Sequence, residues 1–283
     1  MKKQQSDKKV YAILDYDGYV CKAFYANKDN PMDIDSSVEI LEDLEASAIR
    51  KTLNYFDVNY EDLKVIKVMS SHSWKKDIYP SYKRTRKKNE YLGLFRDYIK
   101  ETDKEITLVQ SLEADEVIVC LSDWLRENKE DFVIFSDDKD LRYYSETFCK
   151  INITEEIQKQ DMLDIWKYQL EQMIIGDRED DITGIPKIGE KTAPKLLEVY
   201  GYDIEGVVKS FKDKGVGIDE CLRDLLLVIP LSESYLDNNQ LGWEIAQQVI
   251  SKNKVDNVDV YEAIISQIQF LNKKVKEIYD TND

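Results

Sequence analysis

The chain is poor in the residues that build soft-metal and oxidised frameworks. It has one histidine and four cysteines in 283 residues. Cys21, Cys120, Cys149 and Cys221 lie far apart with no C-x-x-C spacing, which argues against a zinc site or a disulfide frame and fits reduced thiols in a cytosol. No apolar run reaches the roughly 18 residues of a membrane span, so no membrane role is expected. The first nine residues are charged, lack the apolar stretch of a secretory signal, and read as a short disordered lead-in. Internal repeats and low-complexity segments are also missing.

Positive charge is outnumbered overall: 40 lysines and arginines face 56 acids, for a net charge of −16. That balance is unusual for a protein that handles polyanions, but total charge does not say where charge sits. Between Trp74 and Lys88 the chain places Lys75, Lys76, Lys83, Arg84, Arg86, Lys87 and Lys88 against Asp77 alone. Taken singly, such a run is more often a solvated face than a binding site.

What is plentiful is alternation. Val10–Leu14, Val65–Met69, Ile106–Val109, Phe132–Phe135 and Phe148–Ile153 read as short strands bounded by polar or turn residues. Ser36–Phe56 and Ala114–Glu127 carry apolar residues at helical spacing. The pattern predicts an α/β fold with a mostly parallel central sheet flanked by helices. From about Asp161 onward the periodicity is helical, including the tail Trp243–Ile278. The expected division is a lead-in at 1–9, an α/β core at 10–160 and a helical module at 161–283.

In parallel sheets ligands bind beyond the carboxyl ends of the strands, and acids gather there. Asp15 and Asp17 follow the first strand; Glu113, Asp115 and Glu116 follow the third; Asp137, Asp138 and Asp140 follow the fourth. Asp177, Asp180 and Asp181 lie in a loop flanked by Gly176 and Gly184. Acids near helix starts also act as caps, and any one cluster reads that way by itself. Four clusters point further, because converging carboxylates repel unless protonated or metal-bound. Oxygen-only ligation favours Mg2+ or Mn2+. Two such ions roughly 3.5–4 Å apart clamp the attacking and leaving oxygens of a phosphodiester, and the basic run would face its backbone.

These blocks together resemble the 5′ nuclease (flap endonuclease) superfamily, and within it the phage 5′→3′ exonucleases. Ile13-Leu14-Asp15-Tyr16-Asp17-Gly18, leading to Lys22-Ala23-Phe24, is like the family's first strand, acid and basic residue. Trp74-Lys75-Lys76-Asp77-Ile78-Tyr79-Pro80-Ser81-Tyr82-Lys83-Arg84-Thr85-Arg86 is like its aromatic–basic stretch. Glu113-Ala114-Asp115-Glu116 and Ser136-Asp137-Asp138-Lys139-Asp140-Leu141 resemble its central acidic motifs. Gly176-Asp177 to Asp180, then Gly184-Ile185-Pro186-Lys187-Ile188-Gly189-Glu190-Lys191-Thr192-Ala193, resembles the opening of its helix–loop–helix duplex clamp, here spanning 176–201.

The resemblance implies roles. Asp15, Glu113 and Asp115 would hold one metal; Asp138, Asp140 and Asp177 would hold a second; Glu116 and Asp180 would support them. Lys83 would stabilise the scissile phosphate with help from Arg86. Lys22, Lys75, Lys76 and Arg84 would grip the backbone, and Tyr82 would either stack on a base or simply pack. Gly184, Ile185, Gly189, Lys191 and Thr192 would offer backbone N–H groups and a helix N-terminus to duplex phosphates, with a K+ held by nearby carbonyls. The implied substrate is DNA with a 5′ end or flap, or an RNA–DNA hybrid. The implied setting is a monomer working with replication proteins in the cytoplasm, including that of a phage-infected bacterium.

Two departures stand out. Where the family carries an acid after the second strand, this chain has Ser70, with His72 close by. A hydroxyl is a poor partner for a dication, so two outcomes stay open: a nuclease with altered metal demand, or a DNA-binding pseudonuclease. The basic arch, 74–104, is also short: beyond Arg86 only Lys87–Lys104 is available, which favours exonucleolytic attack over threading of long flaps. A single-domain ribonuclease is argued against by the clamp, and a non-catalytic acidic adaptor by the order of the motifs.

Overall fold

A computed structural model of the chain describes residues 9–30, 32–159, 165–228, 240–252 and 260–280. Among the described residues six strands form one sheet: β1 (Val10–Asp15), β2 (Leu63–Val68), β3 (Ile106–Thr107), β4 (Asp131–Phe135), β5 (Thr147–Cys149) and β6 (Gln158–Lys159). Their order is β3-β2-β1-β4-β5-β6, parallel throughout except for the β5–β6 pair. β1 is apolar along its length and buried on both faces, as a central strand covered by helices must be. The chain moves outward from β1 to β2 and β3, then returns to place β4 on the other side of β1. That reversal opens a crevice at the carboxyl ends of β1 and β4.

The covering helices are α1 (Tyr16–Ala26), α2 (Ile34–Phe56), α4 (Glu90–Thr102) and α5 (Ala114–Glu127), with α3 (Trp74–Ile78) between β2 and α4. α2 starts where Asp33 accepts the Ser36 N–H at 3.1 Å. Leu14, Phe24, Leu41, Phe95, Ile99 and Phe135 are among the side chains that fill one core between sheet and helices. Neither α1 nor α4 is among the predicted helices, although both bury an apolar stripe.

Two predicted strands are shorter than expected. Only Ile106 and Thr107 pair with β2; further on, the Val109 and Leu112 carbonyls accept the Ser71 hydroxyl instead. β5 ends at Cys149, after which the Ile151 N–H turns to the Asp137 carboxylate at 3.2 Å. Turn bonds and side chains together take over the backbone groups a longer ladder would use.

The later helices are α6 (Ile165–Ile175), α7 (Ala193–Tyr200), α8 (Ile204–Asp213), α9 (Ile218–Val228), α10 (Gln240–Lys252) and α11 (Val260–Asp280). The chain divides into two compact units: Met1–His72, Lys88–Met162 and Gly242–Val258 make one, and Ser73–Lys87, Leu163–Leu241 and Asp259–Asp283 the other. The sequence division at 160/161 is linear, whereas these units interleave. The basic segment belongs with the helical unit, and most of α10 belongs with the sheet. There Trp243 meets Trp124 edge to face at 6.5 Å, and Lys64 donates to the Ile250 carbonyl at the end of α10. Of the predicted lead-in only Lys9 lies within the described residues, and 160–164, where helical periodicity is expected to begin, lie outside them. No helix among the described residues is long and apolar enough to cross a membrane.

Candidate metal centre

Asp15 ends β1 and caps α1, so its carboxylate is fixed at the crevice by two elements at once. Its Oδ1 accepts the Gly18 N–H at 3.4 Å and its Oδ2 accepts the Ser136 hydroxyl at 2.6 Å. Ser136 is fully buried at the end of β4, and its oxygen accepts the Asp138 N–H at 2.9 Å. One hydroxyl therefore links the acids that end two neighbouring strands. Desolvation first, then the charges of Asp17 and Asp138, push the Asp15 carboxyl up to about 7, against the opposing effect of the Ser136 bond. Asp140 donates its N–H to Asp138 Oδ1 at 2.8 Å.

The neighbouring edge is organised by Ser70. Its N–H donates to Asp17 Oδ2 at 2.8 Å, and its Oγ accepts the Ala114 N–H at 2.9 Å. Its carbonyl accepts Lys100 Nζ at 2.7 Å. Asp17 also meets Arg96, with Nη2 2.6 Å from Oδ1. Arg96 and Lys100 come from α4 and were not singled out in the sequence; their acidic-helix surroundings, with Asp97 and Glu101 as neighbours, hide them.

At the entry of α5 the cap reading of the acids holds for Glu116. It is buried, and its Oε2 accepts the Glu113 N–H at 3.2 Å, so it serves the helix start. Asp115 accepts the Glu116 N–H at 2.8 Å and stays partly exposed. Lys22, expected on a phosphate backbone, pairs with Asp137 at 2.9 Å. His72 is exposed.

The helical unit gathers the other candidates. The loop after α6 closes on itself: Asp177 and Ile182 exchange backbone hydrogen bonds, and Gly176 (φ +76) and Gly184 (φ +62) lie backbone against backbone, where a Cβ on either would meet main-chain atoms at 2.4–2.6 Å. Asp177 Oδ1 accepts the Glu179 N–H at 2.8 Å. Asp180 faces three residues of the basic segment. Tyr82 OH lies 3.4 Å from it, Lys83 Nζ lies 3.7 Å away, and Arg86 makes a close ion pair with it. Asp181 takes both the N–H and the hydroxyl of Thr85, which hold its carboxyl below the usual range.

Several expectations change here. Tyr82 is 3% exposed, packed on Ile182 and Leu227, with Lys75 and Lys83 over its ring at 5.8 and 4.7 Å; it packs and offers no face to a base. Lys75 is itself buried, while Lys76, Arg84, Lys191 and Thr192 are exposed. The Gly184 N–H does not point outward. It donates at 2.8 Å to Asp224, a fully buried α9 carboxylate that also holds Arg223. The Ile185 N–H likewise turns inward, to the Ile174 carbonyl. Gly189 leads into α7, whose N-cap position, Thr192, makes no side-chain cap bond. Asp224 lies 40 residues from its loop partner with no motif around it, so nothing in the sequence marks it.

The donor set fits a hard cation: carboxylates and hydroxyls without thiolate or imidazole, one carboxyl raised chiefly by burial. Among the described residues no three such side chains stand close enough to enclose an ion. The acids that the resemblance assigns are divided between the units, Asp177 and Asp180 lying in the helical one.

Residues 10–168 match the model of the 5′-3′ exonuclease N-terminal resolvase-like domain. DNA polymerase I of Rhizobium leguminosarum is 32% identical over 158 residues, 49% of this chain and 15% of the polymerase. Flap endonuclease Xni of Aeromonas salmonicida is 28% identical over 149 residues, 46% of this chain and 54% of that protein. The chain thus spans about half the length of one relative and far less of the other. The T5 5′-exonuclease with zinc ions bound superposes with a TM-score of 0.56 at 15% identity, over 95% of this chain and 98% of that one. A bacteriophage T5 flap endonuclease in a pseudo-enzyme–product complex with DNA and metal ions gives 0.54 at 14%, over 96% and 100%. At such identities the likeness concerns the fold.

Proposed function

The chain belongs to the 5′-3′ exonuclease family, and on that premise we propose that it hydrolyses nucleic-acid phosphodiesters from 5′ ends at the carboxyl edge of its parallel sheet. The observation that supports this most is the Asp15–Ser136–Asp138 arrangement at the reversal point of the sheet. Burial first, and then the charges of Asp17 and Asp138, raise the Asp15 carboxyl there, and a cation would relieve both.

Asp15 and Asp115, with Glu113, are assigned to a first Mg2+ or Mn2+, and Asp138, Asp140 and Asp177 to a second. Such ions supply an activated water and neutralise the departing oxygen. Lys83 and Arg86 are assigned to the phosphate, and Asp180 keeps both oriented. The exposed Lys76, Arg84 and Lys191 suit the backbone of duplex DNA. α4 takes up Glu90–Thr102, so little chain is left for a long arch, which supports attack at duplex 5′ ends, short flaps or RNA–DNA hybrids. K+ at the 184–192 loop, replication proteins as partners, a monomeric state and work in the cytoplasm of a phage-infected bacterium belong to the same proposal.

Duplexes labelled at the 5′ or the 3′ end, incubated with Mg2+, Mn2+ or chelator, test it. Metal-dependent release of the 5′ label, abolished by Asp138→Asn, is expected. Release from 3′ ends alone, or cleavage in chelator, refutes it.

One observation favours the pseudonuclease reading: Ser70 spends its hydroxyl on the Ala114 N–H. Under that reading the wild type binds DNA without cutting, and Ser70→Asp restores turnover.

A further inference from the structure

Phe95 and Ile99 bury α4 in the core, Phe95 meeting Phe24 of α1 at 6.4 Å. The residues that follow each of them, Arg96 and Lys100, are four apart and share one face. That face meets the acidic edge of the sheet. Arg96 takes Asp17 Oδ1 at 2.6 Å, and Lys100 takes the Ser70 carbonyl at 2.7 Å. The remaining oxygen of Asp17 is held by the Ser70 N–H at 2.8 Å. Two protein cations therefore stand at the position where the family pattern has one more acid. The Asp17 carboxylate, the extra acid of the first block, is committed to a guanidinium on one side and an amide on the other.

We infer that Arg96 acts as a built-in counter-cation that lowers the demand of the Asp15–Asp17 edge for divalent metal, so that this edge binds a metal ion weakly unless Arg96 lets go of Asp17. The inference rests on the nuclease reading above. Its physical basis is charge balance: a fixed positive charge a few ångströms from a dication weakens binding through a partly desolvated medium. The guanidinium is one-third exposed and Asp17 17% exposed at the side chain. Water thus reaches the guanidinium, although the Asp17 Oδ1 it meets is buried, and the guanidinium can exchange Asp17 for another anion, such as a phosphate oxygen.

A plain staple of α4 predicts something different. Removing it would loosen the helix and leave metal affinity unchanged. Mn2+ binding to the full chain, followed by the loss of the free-ion EPR signal between about 10 and 200 μM, separates the two, with thermal melting run in parallel. Arg96→Gln is expected to tighten binding about tenfold, the factor corresponding to about 1.4 kcal/mol. Arg96→Lys, which keeps the charge, is expected to return affinity close to wild type. Ser70→Asp is expected to gain little alone, because Arg96 and Lys100 neutralise it, and to gain a further Mn2+ per chain when combined with Arg96→Gln. Equal Mn2+ affinity in wild type and Arg96→Gln overturns the inference, as does a full extra ion in Ser70→Asp alone. A wild type that binds Mn2+ leaves the nuclease reading standing in either of those cases. No Mn2+ bound by any variant overturns both.

Discussion

The backbone N–H of Lys83 donates to the carbonyl of Asp180 at 3.1 Å, while the ammonium of the same lysine stands 3.7 Å from that residue's carboxylate. Lys83 adopts a left-handed backbone, φ +54, which a non-glycine residue holds only where its surroundings fix it. Asp180 thus sets both the backbone and the charge of the lysine proposed to meet the phosphate. Asp180→Asn removes one negative charge beside Lys83 and Arg86 and weakens its hold on both side chains. Binding of duplex DNA is expected to stay equal or tighten, while turnover falls about tenfold or more through lost orientation. Filter binding and single-turnover cleavage check this; a parallel loss of binding would show that Asp180 serves the substrate in another way.

Asp224 concerns the stability of the same loop. Its carboxylate is fully buried and accepts the Gly184 N–H and the Arg223 guanidinium. Asp224→Ala leaves an orphaned amide and an unpaired guanidinium, at an expected cost of about 2–4 kcal/mol. Asp224→Asn keeps an acceptor for Gly184 and is expected to cost less. Urea unfolding of the three proteins gives the comparison, and equal midpoints would remove Asp224 from this role.

Gly176→Ala and Gly184→Ala test the closure of the loop itself. Each added Cβ would meet main-chain atoms at 2.4–2.6 Å, at a positive φ. Both are expected to destabilise by more than about 1 kcal/mol, and Gly189→Ala, which has open space around it, by much less. Thermal melts that rank Gly189→Ala worst would contradict the packing described.

Asp15 makes metal-free stability depend on pH. Its folded carboxyl titrates near 7, above the ordinary 3.8, so the folded state binds the proton more tightly than the unfolded one. Stability from this group is full below about pH 4 and is lost as pH rises through 7. In chelator, Asp15→Asn is therefore expected to melt higher than wild type at pH 8, by several degrees, and to show no such gain at pH 4. A gain that grows toward low pH would reverse the sign and refute the assignment.

The sheet and its acids were legible because both signals are local. A central strand reads as an apolar run, and Asp15, Asp138 and Asp140 follow such runs directly. The four ordered blocks carried the family. What escaped was set by distant partners. Arg96 and Lys100 are cations among acids in one helix, and only the packing of Phe95 and Ile99 turns them to Asp17 and to the Ser70 carbonyl. Tyr82 read equally well as a stacking or packing ring until Ile182 and Leu227 covered it. Gly184 looked like a phosphate-facing amide because Asp224, which takes its N–H, sits in another helix. The two strand ends misjudged at Val109 and Ile153 were lost to turn bonds and side-chain partners that no periodicity records.

The interleaving of the two units bears on how such a protein can be rearranged. The chain leaves the sheet unit after His72, returns at Lys88, leaves again after Met162, returns at Gly242 and leaves once more after Val258. A single breakpoint anywhere therefore divides at least one unit. A fragment ending at 160 would carry the basic segment without Asp180 and would strand Trp124 without Trp243. A single crossover within the chain is therefore expected to disrupt one unit or both.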